Sequence, residues 1–159
     1  MGVKTTIEIA EWVCKTKYND FGFSADDLQY VKGLALSHFG MNIAGSTMLF
    51  GKKVIEYTKE FSAAADAGVV NGGYLCSMEY AALANGAAAH TTELEDNSWP
   101  ESIYSCGAWP TCFALAEKLK LSGKDVIEAF VIGWEVAGRL GIVAADATNK
   151  GWAIFSTFL

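Results

Sequence analysis

The chain has 159 residues, a hydrophobic fraction of 52% and a net charge of −6, with 12 Lys plus Arg against 18 Asp plus Glu. That length and apolar content suffice for one domain with its own core and argue against a disordered chain. The acidic balance leaves no basic stripe of the kind a phosphate backbone requires, which argues against nucleic acid as a partner.

Cys14, Cys76, Cys106 and Cys112 form no C-x-x-C pair, so the sequence predicts reduced thiols and a cytoplasmic protein. Lys4, Glu8 and Glu11 interrupt any signal-peptide core near the start. Thr5 or Thr6 is placed to cap a first helix with Ile7, Ile9, Ala10, Val13 and Cys14 mostly on one face, ending before Asn19-Asp20. Ser24-Ala25-Asp26-Asp27 has capping-box spacing and opens a second helix, along which Leu28, Val31, Leu34, Ala35, His38, Phe39 and Asn42 recur at three- and four-residue steps. Gly40, Gly45 and Ser46 allow close packing and an exit. His38, alone among apolar neighbours, reads as a hydrogen-bonded core residue.

A third helix is predicted over 52–61, with Val54, Ile55, Tyr57 and Phe61 inward. The Ala- and Gly-rich stretch 62–76 reads as a loop with a short extended piece. Ser77 then opens a helix of unusually small residues, including Ala81, Ala82, Ala84, Gly86, Ala87, Ala88 and Ala89. This helix ends in the densest polar cluster of the chain: His90, Glu93, Glu95, Asp96, Asn97 and Ser98, followed by the bend at Trp99-Pro100. A polar loop at the end of a buried helix is a frequent place for binding and chemistry. Helical spacing resumes over 108–119, and Ser122-Gly123 turns into a long helix over 124–145. That last helix is apolar nearly all round, which predicts a central position in the bundle, with Gly133, Gly138 and Gly141 at tight crossings. Its charges at Glu128, Glu135 and Arg139 argue against a membrane span. Long alternating strand patterns are absent, so the expected fold class is all-α, a multi-helix bundle in a single helical domain over 1–159. The apolar run 152–159 is expected to dock on a partner or on continuing chain.

Three stretches in order carry a family resemblance. Residues 82–96, ALANGAAAHTTELED, resemble the "ANGAAAH…D-(F/L)-D-D" signature of the MmgE/PrpD family. Residues 39–46, FGMNIAGS, look like its "LGVALAGS", and residues 133–141, GWEVAGRLG, look like its "GYEVAGRLG". The resemblance implies the helical domain of a lyase or isomerase of dehydratase, decarboxylase or epimerase type. Such an enzyme acts on a small carboxylic acid, needs no cofactor and no metal, and works as a homo- or hetero-oligomer. It also implies a lid domain, which is expected to be absent from this chain, so a split enzyme is one expectation and a non-catalytic structural or regulatory subunit is the alternative. The chain departs from the family pattern at three places. Glu93 stands where the family has Asp, Tyr104 is the closest match to the histidine of an "HP-(S/G)-G" motif, and Ala153 follows Gly151-Trp152 where the family has "G-(F/W)-H-P-T". The expected catalytic residues are Glu93 and Tyr104, with His90, Asp96, Asn97, Ser98 and Ser105 contacting substrate. Metal binding by the carboxylates has no histidine at ligand spacing in sequence to support it.

Overall fold

Six helices carry the structure, a computed structural model that describes residues 2–98, 102–103 and 105–144. Of these, 2, 3, 98, 102, 103, 143 and 144 are described by their backbone alone. The expected all-α class is what the chain adopts. Helix α1 is Gly2–Lys15, α2 Ala25–Ser46, α3 Leu49–Lys59, α4 Met78–His90, α5 Ser105–Leu119 and α6 Gly123–Ala144. A short 3-10 helix, Tyr18–Phe21, links α1 to α2. Two antiparallel pairs of two-residue strands complete it: β1 (Ala67–Gly68) with β2 (Leu75–Cys76), and β3 (Asn97–Ser98) with β4 (Ser102–Ile103). Among the described residues no helix is long and apolar enough to cross a membrane. The apolar run 152–159 lies outside the described residues.

Local chemistry explains the element ends. Ser24 caps α2 reciprocally with Asp27: the Asp27 N–H donates to Ser24 Oγ at 3.2 Å and the Ser24 N–H donates to Asp27 Oδ2 at 3.0 Å. Ser122 and Asp125 repeat the arrangement at the start of α6, with the Ser122 N–H 2.8 Å from Asp125 Oδ2. The first helix starts at Gly2, so Thr5 and Thr6 lie inside it instead of capping it.

The centre of the bundle is α4, which packs against α2, α3 and α5. Ala81, Ala84, Ala88 and Ala89 are fully enclosed. Their small side chains let three neighbours approach one backbone, which bulky residues would prevent. The long apolar helix α6 was the expected centre, and it packs mainly on α5 instead. Val126, Phe130 and Ala137 point inward, whereas Leu140 and Ile142 are 44% and 61% exposed. Trp109 of α5 stacks on Phe130 with ring centroids 3.6 Å apart, and this pair anchors the α5–α6 contact.

The glycines divide in the same way. A Cβ at Gly138 or Gly40 would meet no atom of the described residues within 4 Å, so neither marks a crossing among them. Gly45 does: a Cβ there would run into the Ala88 carbonyl, and this contact joins the FGMNIAGS stretch to the small-residue helix. In α3, Tyr57 is 51% exposed although its spacing predicts an inward side chain. The buried residue is Thr58, whose hydroxyl donates to Val54 O at 3.1 Å and pairs with the Tyr74 hydroxyl at 2.7 Å. His38 is buried as expected, but among the described residues its Nδ1 has no hydrogen-bond partner, nor does Oδ1 of Asn42 one turn on.

Candidate active site

The site is assembled where α4 stops and α5 starts. Asn85, in the middle of α4, clamps the turn beside it: the Val70 N–H donates to its Oδ1 at 2.9 Å and its Nδ2 donates to Gly68 O at 2.9 Å. One residue on, Gly86 sits against the Cys106 carbonyl and Pro110 of α5, where a Cβ would collide. Pro110 lies inside α5 and has no N–H for the carbonyl four residues earlier, that of Cys106. The ends of α4 and α5 are thereby held together, and His90 and Cys106 meet.

His90 is the last residue of α4. Thr91 and Thr92 tie off the helix through their hydroxyls, donating to Ala87 O at 2.7 Å and Ala89 O at 2.9 Å. Glu93 then adopts φ 54, a left-handed conformation uncommon outside Gly, Asn and Asp. This reversal brings Glu95 back against the helix end, where its Oε1 makes a very close contact with His90 Nδ1. The two carboxylates are opposite in setting. Glu93 has 78% of its side chain exposed and lies 3.9 Å from His90 Nε2, whereas Glu95 is only 4% exposed. Next to it, Asp96 accepts a close hydrogen bond from the hydroxyl of Ser105, itself fully buried at the start of α5.

Burial raises the Asp96 pKa above the ordinary carboxylate range, and the charge of Glu95 adds to it. Burial also pushes the Cys106 thiol up to about 11, with Glu95, Asp96 and Glu93 contributing repulsion. Among the described residues, the buried Glu95 Oε2 and Asp96 Oδ2 have no hydrogen-bond partner. Among the described residues no Lys or Arg forms an ion pair with Glu93, Glu95 or Asp96.

Of the expected site residues, His90, Glu93, Asp96 and Ser105 come together here. Asn97 pairs with Ile103 across the β3–β4 ladder, and its side chain is exposed. Ser98 is in the same ladder and is described by its backbone alone, and Tyr104 lies outside the described residues. Sequence reasoning missed Cys106 and undervalued Glu95. Starting α5 at Ser105 instead of Ala108 would have placed Cys106 in its first turn, facing α4.

Fold and site together define an all-α helical domain that presents a carboxylate cluster from the end of a small-residue helix. The chain belongs to the MmgE/PrpD family: the family model of the MmgE/PrpD N-terminal domain matches residues 7–159. It is similar to a cis-aconitate decarboxylase of Aspergillus terreus (strain NIH 2624 / FGSC A1156), 29% identical over 92% of this chain and 31% of that protein. It is also similar to the cis-aconitate decarboxylase-like protein oryM of Aspergillus oryzae (strain ATCC 42149 / RIB 40), 27% identical over 92% of this chain and 32% of that one. The cis-aconitate decarboxylase of Mus musculus is 32% identical over 74% of this chain and 25% of its own length. The chain thus spans about a third of the length of the curated relatives it matches. No solved structure gives a significant match.

Proposed function

We propose that this chain supplies the helical wall of the active site in an MmgE/PrpD-type lyase or isomerase, with decarboxylation of a small unsaturated tricarboxylate as the reaction class. The names of the relatives support the class of reaction and substrate. The observation that carries the site is the exposed Glu93 carboxylate, held in a left-handed backbone conformation beside His90. Residues kept in sparsely populated backbone regions by their surroundings concentrate at functional sites.

Decarboxylation breaks the bond between a carboxylate carbon and its neighbour and leaves an electron pair on that neighbour. An adjacent unsaturated acid spreads the pair, and a proton must then be delivered to carbon. Glu93 is the group exposed enough to reach a substrate, and its role is the general acid or base. His90 faces it through Nε2 and orients it, while the Glu95 and Asp96–Ser105 contacts hold the loop from below. In the same reading Tyr104 is a donor in place of the family histidine, and Asn97 and Ser98 line the rim. The cations needed by the substrate carboxylates come from outside the described residues of this site, which fits an enzyme completed by further polypeptide.

The second reading, a non-catalytic structural or regulatory relative, is favoured by one feature of the sequence: both family histidines are replaced. Incubating the protein, with any chain that co-purifies, with cis-aconitate and following CO2 release separates the two. The enzyme reading predicts turnover that falls by about 10²- to 10⁴-fold in Glu93→Gln. Absence of both binding and turnover would support the structural reading.

A further inference from the structure

We propose that the cavity between the 3-10 helix, α2, α5 and the start of α6 binds a small amphipathic carboxylate, a monoanion with an apolar chain or ring. The cavity measures about 380 Å³, within the range of about 300–1,000 Å³ found for small-molecule sites. Trp109 and Phe113 of α5 and Ile127 of α6 give it an apolar wall, and Tyr18, Lys32 and Lys124 stand with them. No residue of the carboxylate cluster at the end of α4 lines it, although α5 contributes to both.

The polar groups of this wall suit an anion. Lys32 and Lys124 are exposed, and among the described residues neither forms an ion pair. Lys124 instead places its ammonium 5.5 Å from the centre of the Tyr18 ring. The neighbouring carboxylates are engaged: Glu128 pairs with Lys17 at 3.5 Å and accepts from the Tyr18 N–H at 2.6 Å, and Asp125 accepts from the Ser122 N–H at the α6 cap. Trp109 is 1% exposed, and among the described residues its indole N–H has no acceptor. Indole can only donate, and a buried donor left unpaired is costly, so a ligand that brings an acceptor into the cavity relieves that cost.

Charge sets this cavity apart. The chain carries a net charge of −6, and two larger grooves include carboxylates, Asp20, Asp27 and Glu135 in one and Glu8 and Glu135 in the other. Among the described residues no Asp or Glu lines the cavity at Lys32 and Lys124. The carboxylate of the ligand is placed at these two lysines, where the first turn of α6 adds the partial positive charge of a helix N-terminus. Its apolar part covers Tyr18, Phe113 and Ile127. A tricarboxylate would press further charges against the apolar wall, which is strongly unfavourable. The ligand therefore differs from the substrate class proposed above, and the inference does not depend on that reading.

The test follows the Trp109 indole N–H resonance of 15N-labelled protein during titration with octanoate, with octan-1-ol and octylammonium as probes of equal length. The expected result is a saturable shift with octanoate at about millimolar concentration or below, weakened by added salt, and binding of the other two probes weaker by about tenfold. Lys32→Glu combined with Lys124→Glu should weaken octanoate binding by about tenfold and turn the preference toward octylammonium. Both side chains are exposed, so the variant should keep its fold, as circular dichroism checks. Should it not, the charge preference of the unsubstituted protein among the three probes decides. Absence of a saturable shift at Trp109, or octanoate binding unchanged in the folded double variant, overturns the proposal. Equal binding of the three probes also overturns it and marks an apolar surface that a further polypeptide segment covers.

Discussion

Glu93 combines a backbone conformation that stores about 1 kcal/mol of strain with a side chain that is mostly solvent-exposed. Glu93→Gly removes the strain and the carboxylate together. It should raise stability by about 1 kcal/mol in a urea titration while abolishing turnover. A loss of stability would show that the Glu93 side chain holds the loop. His38 gives a second prediction at this scale. Burial lowers its pKa from 6.5 to about 4, and Glu117 is the other titratable group lining the small cavity beside it. Above pH 6.5 the imidazole is neutral both folded and unfolded. Between pH 6.5 and 4 the unfolded chain takes up a proton that the folded chain refuses, so stability falls on acidification. The His38 part of the loss from pH 7 to pH 5 is about 2 kcal/mol. Denaturation of His38→Gln should show a shallower pH dependence by that amount, and an unchanged slope would contradict the assignment. At this scale His90, Glu93, Asp96 and Ser105 were legible because they crowd one loop or flank it. Cys106 was not, since its value depends on where α5 begins and on how closely Gly86 admits it. Nor could sequence spacing reveal that His38 Nδ1 has no hydrogen-bond partner among the described residues.

The small-residue helix explains its own composition. Ala88 faces Gly45 of α2, Gly86 faces Cys106 and Pro110 of α5, and Asn85 fastens the 68–70 turn. Each of these residues in the motif 82–90 has a contact that a larger or apolar side chain would break. Gly45→Ala should destabilise the fold by about 1–3 kcal/mol through overpacking, read as a lowered urea midpoint. Ser24→Ala should cost about 1 kcal/mol through loss of the α2 cap, with the site untouched. Helix identities were legible from apolar spacing and from the Ser24–Asp27 box. The rank of the helices was not: α6 has the more hydrophobic sequence, yet α4 is central, because close packing on several sides is limited by side-chain size and not by hydrophobicity alone. The two short strand pairs carry no alternating pattern, being two residues long, and only the Gly-rich stretch before α4 hinted at one of them.

For the whole molecule, a bundle centred on α4 fixes one end of that helix against α5 and leaves one carboxylate, Glu93, reaching outward. The family explains why the motif and the polar cluster are adjacent, and the chain matches about a third of its relatives' length. The most direct measurement is the rate of CO2 release from cis-aconitate by the protein and by Glu93→Gln, with folding of both verified by circular dichroism. The account predicts measurable release by the protein and a drop of about 10²- to 10⁴-fold in the folded variant. Equal rates in the two would contradict the role given to Glu93.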